Sequence, residues 1–246
     1  MKPKIEFTFM RILVICLLLL VQYLFATEAR IVEASGDVKI RRGIEENWQP
    51  GKVNLLLDEI DTIWTGEDGF AVLEMDDGRK FQLRPSSLLD IVDLRKIDQQ
   101  ELFLNLMKIK VGKLEQSGEK TPLRLGTVSV VHGASQDTSD SPVKSQSVDW
   151  ETTTLNGIRD LFSQAYYPNV VLKIEKFKEL YPAVTECGEL HYYLGYSFEK
   201  LGQSGQATDA YHKTLEEVEK TCPDSKWSKL ANDGLERLKQ TNQKNN

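Results

Sequence analysis

Two periods of hydrophobicity divide the chain. Up to about residue 132, apolar side chains tend to recur at every second position, as on a strand with one buried face. After residue 150 they recur every three to four positions, as on one face of a helix. The best-patterned stretch is Thr65 to Ile91. Within it, Phe70–Met75 and Arg79–Leu83 flank Asp76-Asp77-Gly78. Ala71, Leu73 and Met75 share one face, as do Phe81 and Leu83. A two-residue Asp77-Gly78 turn would set Met75 opposite Lys80. The expected alternative is a three-residue loop with Gly78 at positive φ. It sets Leu73 opposite Phe81, Ala71 opposite Leu83 and Glu74 opposite Lys80. Beyond the hairpin, Leu83, Pro85, Ser87, Leu89 and Ile91 keep the period of two, and Pro85 requires an edge or a bend.

Upstream, Val32, Ala34, Val38 and Ile40 predict one half-buried strand, with Gly36 at a bulge or close approach. Arg42-Gly43 and Gln49-Pro50-Gly51 predict turns. Trp48, between them, is a core or rim aromatic or a ligand platform. Downstream, the apolar run Leu102–Val111 favours strand, as does Thr121–Val131. Residues 133–149 are rich in serine and poor in apolar side chains, which predicts a flexible linker between separate bodies.

In the helical part, Leu155, Ile158, Leu161, Phe162 and Ala165 form one apolar face. Pro168 suits the first turn of a second helix carrying Val171, Ile174, Phe177 and Leu180, and Pro182 follows its end. Further helices are expected over 189–201, closed by Gly202, over 205–221, and after Pro223. The fold class is therefore α+β with two domains. Its divisions are a signal peptide over 1–29, a β domain over 30–132, a linker over 133–149, a helical domain over 150–241 and a disordered tail over 242–246.

The run Asp61-Thr62-Ile63-Trp64-Thr65-Gly66, followed by Ala71, Leu73, Asp77-Gly78, Leu83, Pro85, Ser87, Leu89 and Ile91, resembles the FecR domain. That family is a β-rich module of exported bacterial proteins. Ile60 stands where the family often has Gly, and His132 and Ala134 replace its commoner Arg and Thr in the closing element. The resemblance spans about Val32 to Ser135. Leu194-Gly195, Phe198, Ala207, Tyr211 and Leu215 look like the tetratricopeptide repeat signature. Leu180-Tyr181-Pro182-Ala183-Val184 also recurs as Thr221-Cys222-Pro223-Asp224-Ser225, about 40 residues later. This second resemblance implies antiparallel helical hairpins presenting a groove to a peptide or protein. Tyr192, Tyr193, Tyr196 and Tyr211 are then groove candidates, although tyrosines at helical spacing also serve as packing residues.

Lys2, Lys4 and Arg11 precede an apolar run, Ile12–Ala26, broken only by Gln22. Its length suits a secretory signal and is short of the ~20 residues of a membrane span, though a retained anchor is the alternative. The net charge of −6 becomes −8 without Lys2, Lys4, Arg11 and Glu6. With no basic stripe, nucleic acid is a poor partner, and nothing in the sequence points to an anionic membrane surface. Cys16 lies within the signal. Cys187 and Cys222 fall where two antiparallel helices would meet, predicting a disulfide over two buried thiols. Closing that loop stabilises by about 3–4 kcal/mol on the chain-entropy model.

Catalytic signatures are missing. No G-x-S-x-G, H-E-x-x-H or phosphate-binding glycine loop occurs. Asp58-Glu59, Glu67-Asp68 and Asp76-Asp77 sit beside turns, where solvated carboxylates are expected. His191 and His212 could approach each other but show no third ligand. The sequence predicts an exported, non-enzymatic binding or scaffold protein without cofactor or metal. Its partner would be an envelope protein, a peptide or a cell-wall glycan. The FecR resemblance offers an alternative, an anchored periplasmic sensor. An envelope hydrolase ranks last, for want of a nucleophile–base pair.

Overall fold

The computed structural model describes residues 29–117, 148–184 and 186–244. Two four-stranded antiparallel sheets form the N-terminal part. One has the order β4-β1-β6-β7 and the other β3-β2-β5-β8. The strands are β1 (Ala29–Ser35), β2 (Val38–Arg41), β3 (Trp48–Pro50), β4 (Leu56–Leu57), β5 (Thr62–Thr65), β6 (Phe70–Met75), β7 (Lys80–Leu83) and β8 (Leu88–Asp90). A 3-10 turn at Ile91–Leu94 follows. Among the described residues six helices follow: α1 (Gln99–Ser117), α2 (Trp150–Ser163), α3 (Tyr167–Leu180), α4 (Glu189–Lys200), α5 (Ser204–Thr221) and α6 (Lys226–Lys244). The architecture is α+β, as the change of period predicts.

The hairpin adopts the three-residue loop. Ala71 pairs with Leu83, Leu73 with Phe81 and Glu74 with Lys80, and Gly78 has φ 79°. Ala71, Leu73, Met75, Phe81 and Leu83 are all buried. Arg79, at the end of the loop, is half-buried. Its Nε donates to Asp77 at 2.7 Å and its guanidinium lies 5.2 Å from the Tyr166 ring.

The chain passes from one sheet to the other at a shared corner. Gly36 has φ 63°, and a Cβ there would meet the Asp68 carbonyl oxygen at 2.1 Å. A Cβ on Gly69 would meet the Asp37 carbonyl oxygen at 2.4 Å. The bends between β1 and β2 and between β5 and β6 therefore nest backbone against backbone, which only glycine allows. The expected single strand over 32–41 is consequently two strands in different sheets. A bulge between Ile31 and Glu33 also resets its parity, so Ile31 rather than Val32 points into the core. The last crossing, from β7 to β8 at Pro85-Ser86, is the expected bend. There Thr65 Oγ1 donates to the Arg84 carbonyl at 2.6 Å and accepts from Ser87 N at 3.0 Å.

Several expectations fail for identifiable reasons. Trp48–Pro50 is an edge strand paired with β2 rather than a turn; an edge tolerates a proline. Leu102–Val111 lies in helix α1, not in a strand. Its Leu, Lys and Met side chains are strong helix formers, and Asp98 Oδ1 accepts the Glu101 N–H at 2.8 Å as a cap. Ala165 lies past the end of α2 in a left-handed turn (φ 65°). Leu180 ends α3 at 61% exposure, while the Tyr181 ring packs on Phe177 at 4.9 Å. Helix α6 runs to Lys244, through part of the expected tail. Thr121–Val131, His132, Ala134, residues 1–28 of the expected signal and all but the end of the linker lie outside the described residues, while Ala29 opens β1.

The helices pack directly against the sheets. Buried side chains of both parts belong to one continuous core. Phe81 meets Tyr166 edge-on at 5.3 Å. A Cβ on Gly157 of α2 would lie 2.1 Å from the Leu88 carbonyl oxygen. Among the α4–α6 helices, Tyr211 is fully buried, its ring enclosed between Gly195 and Gly234. Cys187 and Cys222 are joined by a disulfide, Cα–Cα 5.5 Å, as expected.

Candidate binding cleft

The turn between β7 and β8 brings Arg84 against α2. Its N–H donates to Asp160 Oδ2 at 3.0 Å, and its guanidinium donates to Oδ1. Asp160 is buried while more than half of the Arg84 side chain stays exposed. The preceding residue, Arg159, reaches α4 instead. It grips Glu189 through Nε (2.9 Å) and Nη2 (2.5 Å) and touches Glu186 at 3.5 Å. A bidentate fork of this kind fixes geometry as well as charge. Tyr193 donates its hydroxyl to the same Glu189 at 2.7 Å. Arg84, Arg159, Glu189 and Tyr193, with Phe162, Ser163, Lys226 and Trp227, line an open cleft of about 480 Å³.

The floor is aromatic. Phe162 and Tyr193 stack at 4.0 Å, and Trp227 lies 5.5 Å from Tyr193 and 5.1 Å from Tyr192. The Lys226 ammonium sits 4.4 Å from the Trp227 centroid. The disulfide holds the walls together. Cys187 lies between Glu186 and the start of α4, and Cys222 shortly precedes Lys226. Ser225 Oγ also donates to the Cys187 carbonyl at 3.5 Å.

Electrostatics fix which groups are charged. Burial pushes the Glu189 carboxyl up, but hydrogen bonds from Arg159 and Tyr193 outweigh it and hold the pKa below the usual value. The Glu189 hydrogen bond raises Arg159 further. Burial, followed by the Glu189 contact, raises Tyr193. Burial also raises Glu186. Arg84 and Arg159 are thus each paired with a carboxylate, Asp160 and Glu189, while Lys226 stands at the rim against Trp227. Ser163 donates its hydroxyl to the Asp160 carbonyl at 2.9 Å. The arrangement can hold a flat or anionic group over an aromatic floor.

The tyrosines and Trp48 fall in different places. Tyr192 is buried at the edge of the cleft floor. Tyr196 is half-buried, with Lys200 at 5.0 Å over its ring. Tyr211 offers no surface; its hydroxyl donates to Glu199 at 2.6 Å. Trp48 stacks on Trp150 at 5.7 Å and meets Trp64 edge-on at 6.4 Å, at the entry to α2. His191 contacts Glu217 (2.6 Å) and Lys178 (3.0 Å), while His212 is exposed. The three acidic pairs are exposed. No group of three potential metal ligands occurs among the described residues. Arg84, Arg159, Phe162, Lys226 and Trp227 did not stand out in the sequence as site residues. Trp227, just after the Pro223 turn, had a local signal, whereas nothing in the sequence joins Arg84 to it.

Comparison with known proteins found no matching family model, no matching curated protein and no matching solved structure. Among the described residues no helix is long and apolar enough to cross a membrane.

Proposed function

We propose that this chain is an exported, non-enzymatic binding or scaffold protein of the bacterial envelope. In this reading the β part is a FecR-like module, and the helices from α2 onward are tetratricopeptide-like hairpins. The observation that carries it is the cleft, whose aromatic floor is bordered by Lys226 and by two arginines held in place by Asp160 and Glu189. Preorganised walls reduce the ordering cost of binding, and a cleft of this composition suits a peptide or protein segment. The Cys187–Cys222 disulfide supports an oxidising compartment.

The test is site-specific crosslinking. A photoreactive amino acid replacing Ser163 should capture a discrete envelope protein or peptide in cells. Trp227→Ala or Lys226→Glu should abolish that capture. Capture unaffected by both changes, or absent altogether, would refute the cleft as the binding surface.

A further inference from the structure

The Cys187–Cys222 disulfide is placed where two walls of the cleft are anchored. Cys187 lies just before Glu189, which opens α4 and holds Arg159. Cys222 caps the end of α5, and the turn after it delivers Lys226 and Trp227 at the start of α6. In that turn the Ser225 N–H donates to the Cys222 carbonyl at 2.9 Å, and Ser225 Oγ accepts the Trp227 N–H at 3.3 Å. Trp227 in turn packs on Tyr192 and Tyr193 of α4. Both cysteines are half-buried rather than enclosed, so a thiol can reach the bond.

The backbone that the disulfide holds is an unfavourable one. Cys187 has φ 51° and Gly188 has φ 85°. Glycine takes that conformation freely, whereas a residue with a Cβ is disfavoured in it. Gly188 is seated on α5, where a Cβ would meet Val218 Cγ2 at 2.9 Å and Thr214 Cγ2 at 3.0 Å. Across this turn the Glu189 N–H donates to the Glu186 carbonyl at 2.8 Å. A Cys187 relaxing to negative φ would break that bond and free the first turn of α4, where Glu189 sits. The Ser225 Oγ contact to the Cys187 carbonyl, at 3.5 Å, is long for a hydrogen bond and restrains the turn weakly.

We propose that Cys187–Cys222 is a redox latch on the cleft, whose reduction releases the Cys187 turn, loosens the Glu189–Arg159 grip and parts α4 from the Lys226–Trp227 wall while the sheets stay folded. The reductant is a dithiol. One of its thiolates attacks a cysteine sulfur to form a mixed disulfide, and its second thiol displaces the protein from that bond. Two electrons and two protons pass to the protein, leaving two cysteine thiols, and the dithiol becomes a disulfide. In an oxidising compartment the latch is closed at rest. Control of binding in this way rests on the cleft being the binding surface; the opening itself does not.

The chain has four tryptophans, so fluorine NMR of the full chain labelled with 5-fluorotryptophan reads the cleft and the sheets together. Treatment with dithiothreitol should shift the Trp227 resonance, assigned by its loss in Trp227→Phe. The Trp48 and Trp64 resonances should stay in place and show that the reduced chain is folded. A bond that only stabilises the whole fold would leave all of them unmoved in the folded, reduced protein, and that result would overturn the latch. Two double variants separate the turn from the missing bond itself. Cys187→Ser with Cys222→Ser should reproduce the reduced Trp227 position. Cys187→Gly with Cys222→Ser, in which glycine accepts the positive φ, should bring it back toward the oxidised one. The same Trp227 position in both variants would also overturn the proposal. Capture by the photoreactive residue at position 163 should fall in the serine variant, and undiminished capture would count against the latch. No capture even in the oxidised protein refutes the cleft as the binding surface, and the Trp227 resonance then decides the latch by itself.

Discussion

Lys173 on α3 reaches Asp90 at the end of β8, Nζ to Oδ2 2.9 Å, and its ammonium also contacts Asp93. The lysine is almost fully buried. Burial pushes Asp90 up, but the Lys173 and Lys176 charges outweigh it and hold the carboxyl far below its usual range. Asp93 is raised, first by burial. Both carboxylates face the one ammonium, and the cluster fastens the helices to the second sheet. Lys173→Met leaves buried carboxylates without their cation and should cost about 3–5 kcal/mol. Asp93→Asn should cost clearly less. Urea denaturation at neutral pH measures both.

Gly157→Ala tests the backbone contact beside it. The added methyl would fall on the Leu88 carbonyl oxygen, and a backbone group cannot swing away as a side chain can. The expected loss is about 1–3 kcal/mol, read as a lower urea midpoint with an unchanged slope.

Reducing the disulfide should destabilise the folded chain by about 3–4 kcal/mol on the chain-entropy model. The paired Cys187→Ser and Cys222→Ser variant should match the reduced wild type and should no longer respond to reductant. A urea midpoint identical with and without reductant in the wild type would contradict this.

Acid should unfold the protein through its paired carboxylates. Glu189, Glu199 and Glu217 all have folded pKa values below the ordinary 4.5. A depressed value means stability that is present above the unfolded pKa and lost as pH falls through the folded one. The urea midpoint should therefore hold steady from neutral pH down and fall below about pH 4.5. Glu186 has the opposite sign, since burial raises it. Glu186→Gln should leave stability at pH 7 unchanged or higher, while Glu189→Gln should lower it.

What could be read from the sequence followed local period and turn chemistry. The hairpin register was legible because the wrong register puts Met75 opposite a charge. Pro168 marked the start of α3, Gly202 the end of α4 and Pro223 the end of α5. Helix α1 was misread because Leu102, Leu104 and Leu106 fit a period of two as well as an irregular helix. A helix exposing Leu104 violates the rule that such readings rest on. The cleft was not legible. Arg84 and Trp227 meet only because the helices fold back over the corner at Pro85, and no local pattern encodes that contact. The linker composition likewise carried no sign that Asp160 and Lys173 would lock the two parts together.

Arg159 and Asp160 are consecutive on α2, one holding Glu189 on α4 and the other holding Arg84 at the strand corner. Turning that helix displaces both grips at once. A displacement of Glu189 would therefore be carried through α2 to the strand corner.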